Sequence, residues 1–197
     1  MSLAIPRRRL CPGHHNAPMI EGLTIRSAMV DDRDAILTVV REAFSNGGRD
    51  GHEEVNIVQD TWSLAASPDG FDVIAHDDAG GGVVGHVLAA LGDLDGREVL
   101  AIAPLATAPS HHGQGVGRAL MTELLRRAEA ADFGLVVLLG DPAFYGRFGF
   151  EPSGPLDITY RPVGRDNPHF LVRRFAGYDP AYRGEFVYCW ETPSSST

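Results

Sequence analysis

The stretch that most constrains this fold is H-G-Q-G-V-G-R, residues 112–118, in which three glycines fall within five positions. An apolar run, residues 98–108, precedes it, and a helix-forming run follows it directly. Glycine adopts backbone conformations that other residues avoid and lets a ligand approach the main chain closely. The first turn of a helix carries unpaired N–H groups and the positive end of the helix dipole, which together favour phosphate. The pattern therefore predicts a strand, a phosphate-binding turn and a helix; the alternative is a glycine-rich turn that only caps the helix.

Two common phosphate-binding motifs do not match this turn. A Walker A loop requires lysine after its last glycine, but Arg118 follows Gly117. The Rossmann fingerprint requires glycine or alanine five residues after its first glycine, where Gly113 and Gly115 have Arg118 and Leu120. We therefore expect a phosphate-bearing ligand that needs no magnesium site, and a domain that binds ATP with magnesium is the weaker alternative.

The composition is that of one ordinary globular domain: 197 residues, of which 44% are apolar and 22% charged. Residues 1–20 contain three arginines, three prolines and no acid. This composition predicts a disordered tail over residues 1–20, because such a segment can bury little apolar surface. Residues 21–192 then form a single domain, and residues 193–197 a flexible end.

The formal net charge of −9 argues against nucleic acid as a partner, because binding a phosphate backbone needs clustered lysine and arginine. An acidic surface suits a cationic acceptor instead. The two cysteines, Cys11 and Cys189, stand far apart and fit neither a disulfide framework nor a zinc site. No apolar run resembles a membrane span or a signal peptide, so we expect a cytoplasmic protein without a membrane partner.

Residue periodicity predicts the order β-α-α-β-β-β-α-β-α-β-β after the tail. Two β-rich runs, F-D-V-I-A-H and V-V-G-H-V-L-A-A-L, predict an antiparallel hairpin. The run G-L-V-V-L-L-G follows the helix after the glycine turn, which implies a parallel, right-handed connection. Asp31 or Asp32 is the expected N-cap of the first helix, whose buried face is Ile36, Val39, Val40, Ala43 and Phe44.

The predicted fold class is α/β, with a mixed, mostly antiparallel sheet and helices on both faces. The runs H-F-L-V-R-R-F and E-F-V-Y-C-W are expected at the C-terminal edge of the sheet. Because an uncovered edge invites pairing between chains, this placement favours a homodimer.

Two segments resemble motifs of the GNAT superfamily of N-acetyltransferases. His112 to Gly117 is similar to its acyl-CoA motif, [QR]-x-x-G-x-[GA], and residues 140–150, G-D-P-A-F-Y-G-R-F-G-F, are similar to G-D-P-x-[FY]-Y-x-x-[FL]-G-F of one bacterial branch. The likeness covers nearly the whole chain after the tail. It implies the acyl-CoA N-acyltransferase fold and coenzyme A as the ligand of the glycine turn.

The resemblance also implies where coenzyme A binds. Its pyrophosphate would lie on backbone amides of the turn, and its pantetheine arm would lie in a gap between the third β-rich run and G-L-V-V-L-L-G. Backbone amides beside the arm could polarise the acetyl carbonyl. The family's Gln or Arg is His112 here, which puts a side-chain role at that position in doubt. The cofactor-binding residues so implied are Leu105, Ala106, Thr107, His112, Gly113, Gln114, Gly115, Val116, Gly117 and Arg118.

The same resemblance implies that Tyr145 is the general acid that protonates the departing thiolate; the alternative is a tyrosine that only packs in the core or against coenzyme A. The general base is left open among Glu98, Glu42, His86 and a water chain. His111 and His112 could be read as a metal site, but no third ligand is evident and we expect no metal.

These features predict an acetyl-CoA-dependent N-acetyltransferase that moves an acetyl group to a primary amine of a small molecule or a protein. The alternative is a non-catalytic acyl-CoA-binding regulatory module on the same fold. The identity of the amine acceptor does not follow from the residues, because fold does not fix substrate.

Overall fold

The computed structural model describes residues 20–45, 47–80, 82–164 and 167–191. The predicted tail and flexible end lie outside these ranges, apart from Ile20, which forms an isolated bridge with Leu23. The strands are β1 Leu23–Ser27, β2 Asp72–Asp77, β3 Gly82–Leu94, β4 Arg97–Thr107, β5 Leu135–Leu139, β6 Glu151–Pro152, β7 Ile158–Thr159, β8 Phe170–Arg174 and β9 Gly184–Val187. The helices are α1 Arg33–Phe44, α2 His52–Ser63, α3 Val116–Ala130 and α4 Pro142–Tyr145.

The strands form one mixed sheet in the order β1-β2-β3-β4-β5-β8-β6, with β9 paired to the end of β3 and to β7. The β2–β3 hairpin is antiparallel and β4 pairs in parallel with β5, as the sequence predicts. The other pair that runs parallel in the described ranges joins β7 to β9. The predicted mixed, mostly antiparallel sheet is therefore confirmed.

Helices cover both faces of this sheet. A Cβ placed on Gly85 of β3 would lie 2.7 Å from the Val116 side chain and 2.9 Å from that of Leu120, so Gly85 faces α3. Its neighbour His86 reaches Asp72, which also accepts a hydrogen bond from Trp62 of α2. Because successive strand residues point to opposite faces, α3 and α2 lie on opposite sides of the sheet. Among the described helices, none has the length and apolarity to cross a membrane.

The prediction that the last two strands lie at the C-terminal edge of the sheet is wrong. β8 lies between β5 and β6, and β9 returns to pair Val187 with Asp93 and Phe186 with Leu94 of β3. This return requires a close approach, since a Cβ on Gly92 would lie 2.5 Å from the ring of Phe186. The homodimer stays a prediction, but the two strands on which it was based do not form a free edge of the sheet: β8 pairs on both sides, and β9 pairs with β3 and β7.

The N-cap residue of α1 is Asp32, one of the two predicted positions, but its side chain makes no cap hydrogen bond to α1. Asp31 and Asp32 lie in the 3₁₀ turn that leads into the helix. The carboxylate of Asp32 accepts hydrogen bonds from the two terminal guanidinium nitrogens of Arg26, at 2.7 and 2.8 Å. It also accepts one from the backbone N–H of Met29, at 2.7 Å. The Arg26 hydrogen bond, opposed by burial and aided by the Met29 N–H, lowers the pKa of Asp32. This ion pair ties the end of β1 to the helix entrance.

A buried carboxylate fixes α3 to the neighbouring loops. Glu123 is 3% exposed and accepts hydrogen bonds from the guanidinium groups of Arg126 and Arg127 at 2.8–2.9 Å. Arg127 then donates to the carbonyl of Gly70 and to the hydroxyl of Ser27. Burial opposes ionisation, but the two arginines outweigh it and lower the pKa of Glu123. One charge therefore holds α3, β1 and the loop before β2 together.

We expect Glu123→Gln to destabilise the protein by about 3 kcal/mol at pH 7, because two partly buried guanidinium groups lose their counter-ion. The folded pKa is depressed, so this contribution is present above the unfolded pKa and is lost as the pH falls through the folded value. Denaturant unfolding should show the difference from wild type shrinking below about pH 4. Glu53→Gln, at an exposed position of α2, is the matched control and is expected to stay within about 0.5 kcal/mol of wild type; an equal loss in both variants would contradict the account.

Candidate active site

The glycine turn lies between β4 and α3, as predicted, and its backbone requires glycine at two positions. Gly113 has φ of +77° and Gly115 has φ of +86°, conformations in which a side chain is strained. A Cβ on Gly113 would meet nothing within 4 Å, and one on Gly115 would meet only Ile20, at 3.7 Å. The outer surface of the turn is therefore open.

Gly117 differs from these two glycines, because neither its backbone conformation nor its neighbours in the chain exclude a side chain. It lies in the first turn of α3, where a Cβ would make ordinary contacts at 3.5 Å with Thr107, 3.8 Å with Phe144 and 3.9 Å with Leu105. Alanine would fit this space and would favour the helix. The absence of a side chain there keeps open the space between the end of β4 and α4.

The turn presents a set of unpaired backbone donors. The N–H groups of His112 and Gln114 are used in local bonds to the carbonyls of Pro109 and His111. The remaining N–H groups have no acceptor in the described part of the chain; they belong to Gly113, Gly115, Val116, Gly117 and Arg118. Such a cluster at a helix N-terminus can bind an anion without a metal ion.

The side chains of the turn stabilise its shape. The Nε2 of His112 lies 3.0 Å from the carbonyl oxygen of Thr107, so the imidazole donates this hydrogen bond. Gln114 donates from its side chain to the carbonyl of Ser110 at 3.0 Å. His112 therefore has a side-chain role that the family resemblance left in doubt, which is to close the turn onto the end of β4.

Beside the turn, β4 and β5 part. Their ladder pairs Leu100 with Val136, Ala101 with Val137 and Ile102 with Leu138, while β4 continues to Thr107. Ala103–Pro104 follows this ladder, and the register of β4 with β3 shifts there. Proline has no N–H to donate to a neighbouring strand. The predicted gap between these two strands is thus present.

Two backbone amides of β4 point into this gap. The N–H of Ala108 bonds to Val84 of β3 at 2.9 Å, and Ala106 pairs with His86. Since backbone groups of a strand alternate in direction, Leu105 and Thr107 direct their N–H groups away from β3 and towards the gap. Of the three β4 residues predicted to bind coenzyme A, Ala106 has its amide on the β3 side.

Tyr145 lies at the end of α4, just beyond β5. Asp141 begins this short helix by accepting the N–H of Ala143 at 2.9 Å, with Pro142 in the first turn. The Tyr145 hydroxyl has no hydrogen-bond partner in the described ranges. Burial raises the pKa of Tyr145 to about 12, so the phenol is protonated at neutral pH. It can act as a proton donor.

Gly140 fixes the position of this tyrosine. A Cβ on Gly140 would lie 2.2 Å from Cε2 and 2.7 Å from Cδ2 of the Tyr145 ring, so the ring lies directly on the backbone after β5. Phe144 and Phe150 contact the same ring edge-on, with centroids 4.9 and 5.9 Å away. Gly140 was missed as a site residue, although its position directly after a buried strand was a usable signal.

Tyr188 is a second tyrosine at this point that the sequence did not single out. Burial, with added effects of Tyr160 and Glu191, raises its pKa, while a hydrogen bond from the Leu139 backbone opposes the rise. Tyr145 is among its electrostatic neighbours. Tyr188 therefore lies at the carboxyl end of β5. The feature of the sequence that could have identified it as a site residue is a tyrosine inside an apolar run, E-F-V-Y-C-W.

The residues considered as general base are spread over the fold. Glu98 is exposed at the start of β4, roughly 30 Å along the strand from Thr107, and Glu42 is exposed in the last turn of α1. His86 lies opposite Ala106 but is 0% exposed, with Nε2 2.8 Å from Asp72 and Nδ1 without a partner. Of these three residues, His86 is thus the one next to the β4 end of the gap.

The paired histidines do not form a cluster with other metal ligands. Nδ1 of His111 lies 2.9 Å from the Ser110 hydroxyl, and its Nε2 lies 4.0 Å from Asp77. In the ranges that the structure covers, no group of three or more His, Cys, Asp or Glu side chains could hold a metal ion.

Comparisons with known proteins agree with this geometry. Residues 69–152 match the family model for the acetyltransferase (GNAT) domain. The N-acetyltransferase YhbS of Escherichia coli K12 is 33% identical over an alignment of 167 residues that covers 82% of this chain and 92% of YhbS. The crystal structure of E. coli YhbS in complex with CoA superposes with a TM-score of 0.74 at 30% identity, covering 89% of this chain and 93% of that one. A GNAT family acetyltransferase from Brucella melitensis in complex with acetyl-CoA gives 0.68 at 26% identity, covering 84% and 95%. The chain belongs to the GNAT family of acetyltransferases.

Proposed function

We propose that this protein is an acetyl-CoA-dependent N-acetyltransferase that moves the acetyl group to a primary amine by direct attack. The observation that carries the proposal is the turn of unpaired amides beside the gap between β4 and β5, with the Tyr145 phenol at the end of β5. The complexes of YhbS with CoA and of the Brucella melitensis enzyme with acetyl-CoA support the choice of co-substrate. We also propose a cytoplasmic location, which is supported by the two widely separated cysteines and by the lack of an apolar run that resembles a signal peptide.

The chain's groups fit coenzyme A in two places. The five unpaired N–H groups of the turn suit the pyrophosphate, since backbone donors at a helix N-terminus bind phosphate oxygens. The amides of Leu105 and Thr107 suit the pantetheine arm and the thioester carbonyl, because they are directed into the gap. No metal takes part in this proposal.

The chemistry then needs three roles. The amine nitrogen attacks the thioester carbon, and backbone N–H groups of β4 stabilise the negative oxygen that develops. The C–N bond forms, the C–S bond breaks, and the Tyr145 phenol gives its proton to the thiolate. The amine loses a proton to a base, for which His86 and a water chain are the remaining candidates near β4.

The alternative is a regulatory module that binds acyl-CoA without turnover. It is favoured by one observation: the stretch from Leu100 to Ala108, at the end of β4, contains no acid that could serve as base. Thermal unfolding with acetyl-CoA, with CoA and with ATP and magnesium, beside a thiol-release assay over a panel of amines, separates the two. Binding with thiol release supports the enzyme, binding alone supports the module, and no shift with either CoA ligand contradicts both.

Gly117→Ala should separate binding from folding. Because a Cβ fits among Thr107, Phe144 and Leu105, we expect an unfolding temperature without ligand equal to wild type or slightly higher. The methyl group faces the proposed ligand, so CoA should bind at least tenfold more weakly in titration calorimetry, a loss of about 1.4 kcal/mol. Gly82→Ala, where a Cβ meets nothing within 4 Å, is the control; undiminished binding by Gly117→Ala would count against this site.

Tyr145→Phe should lower kcat by roughly 10²-fold and leave CoA affinity close to wild type, since it removes a proton donor and keeps the ring. With a pKa raised to about 12 by burial, the phenol stays protonated and the ratio of wild-type to variant kcat should be constant up to about pH 10.5. Tyr182→Phe is the control, because Tyr182 stacks on Tyr178 and packs against a separate hydrophobic cluster that includes Leu94 and Phe186, whereas Tyr145 packs against the cluster between α3 and the sheet. An unchanged kcat in Tyr145→Phe would remove the general-acid role.

Gly140→Ala should have a similar effect without changing the tyrosine. The added methyl would occupy the place of the Tyr145 ring, so the ring must shift by more than an ångström. We expect kcat to fall at least tenfold with CoA binding retained, measured by steady-state kinetics and titration. Gly146→Ala lies in the same segment and meets nothing within 4 Å, so it should behave as wild type; equal kcat in both variants would mean that ring position is unimportant.

A further inference from the structure

Tyr188 is a buried phenol that the proposed mechanism does not use. It follows β9 directly and is 5% exposed. Its ring packs against the rings of Phe186, Tyr160 and Trp190, with centroids 4.7, 5.3 and 4.4 Å away. Its backbone N–H donates to the carboxylate of Glu191 at 2.9 Å. Both the ring and the main chain are therefore held in place, which fixes where the hydroxyl lies.

The hydrophobic cluster that contains Tyr188 lies against the point where β4 and β5 part. Its members include Ala101 of β4 and Val137 of β5, which pair with each other one step before the ladder ends. Ala103, the first residue of β4 after the ladder, packs against the same cluster. The backbone N–H of Leu139 donates to the Tyr188 hydroxyl. The hydroxyl therefore lies at the inner end of the gap.

Tyr145 reaches the same end of β5 from the opposite face of the sheet. The Tyr145 ring lies on Gly140 and packs against the cluster that includes Leu138. Tyr188 instead packs in the cluster that includes Val137. Because successive residues of a strand point to opposite faces, the two phenols flank the end of β5 from its two sides. A group placed at the inner end of the gap therefore has one phenol on each side.

The Tyr188 hydroxyl has a proton to donate. A phenol donates one hydrogen bond and accepts others, and here the Leu139 N–H takes one acceptor position. In the part of the chain that the structure describes, no group accepts the hydroxyl proton. Burial raises the pKa of Tyr188, so the phenol stays protonated at neutral pH. Since a hydroxyl that accepts one hydrogen bond donates the next more strongly, the group that complements it is an oxygen acceptor.

We infer that the Tyr188 hydroxyl donates a hydrogen bond to the carbonyl oxygen of the acetyl group, as a side-chain donor beside the backbone amides of β4. This inference rests on the proposed binding of acetyl-CoA. The thioester carbonyl is the acceptor that acetyl-CoA has and CoA lacks, so Tyr188 favours the acetylated form. Because negative charge grows on this oxygen as the amine attacks, the same bond strengthens in the transition state and makes Tyr188 a catalytic residue.

The binding test compares acetyl-CoA with CoA by titration calorimetry on wild type, Tyr188→Phe and Tyr160→Phe. Tyr160 is the matched control, because it belongs to the same cluster but its hydroxyl donates to Glu191 at 2.5 Å. We expect Tyr188→Phe to lose about fivefold in the preference for acetyl-CoA over CoA. Its affinity for CoA should stay within about twofold of wild type, which also reports that the fold is retained. Tyr160→Phe should keep the wild-type preference.

A spectroscopic measurement separates a hydrogen bond from an effect of packing. The infrared band of bound acetyl-CoA, labelled isotopically at its carbonyl carbon, should lie at higher frequency in Tyr188→Phe than in the other two proteins. The reason is that a donated hydrogen bond weakens the C=O bond, and only Tyr188→Phe loses it. With an amine that wild type acetylates, kcat of Tyr188→Phe should fall at least tenfold while KM for the amine stays close to wild type.

The outcomes distinguish this inference from the proposed function. Binding of both ligands with an unchanged preference and an unchanged carbonyl band in Tyr188→Phe would overturn the inference and leave the proposed function intact. An equal loss in Tyr160→Phe would overturn it too, because packing would then explain the effect. If Tyr188→Phe loses the preference and the band shift but wild type releases no thiol with any amine, the inference stands for a module that binds acyl-CoA. If wild type binds neither acetyl-CoA nor CoA, both the inference and the proposed function fail.

Discussion

The separation of β4 from β5 is the constraint on which the candidate site depends. The two strands stay hydrogen bonded only from Leu100 to Ile102, and β4 then continues alone past Pro104 to Thr107. Had the ladder continued, the amides of Leu105 and Thr107 would have been used by β5 and unavailable to a ligand. The same separation leaves room beside α4 for the Tyr145 ring. A short interruption of pairing inside an otherwise ordinary sheet thus creates the gap in which the candidate site lies.

The sequence predicts those features whose causes are local. The backbone has positive φ at Gly113 and Gly115, a conformation that glycine adopts without strain, so the turn between β4 and α3 could be located from its residues. The apolar periodicity of α1 and the continuous apolar run of β5 likewise identified elements that the structure contains. The position of Tyr145 followed from a resemblance of motifs and not from periodicity.

The features that the sequence could not predict depend on contacts between distant segments. The return of β9 to β3 is decided by the packing of Phe186 on Gly92, which no local pattern reveals. The carboxylate of Asp32, the N-cap residue of α1, bonds to Arg26 of β1 and to the Met29 N–H, and not to an N–H of α1. Tyr188 likewise reaches the end of β5 only through this tertiary arrangement. Local propensity therefore predicts none of these three contacts.

The pairing of β9 with β3 also has a consequence for folding during synthesis. It joins residues separated by half of the chain, so its loop-closure cost is met only after the intervening segments have folded. During synthesis, β3, β4 and the glycine turn leave the ribosome long before β9 exists. The hydrophobic cluster that includes Leu94, Phe186 and Tyr188 is therefore complete only once β9 is present. A polypeptide released before residue 184 would contain the glycine turn but lack Phe186 and Tyr188, and with them the wall beside Leu139.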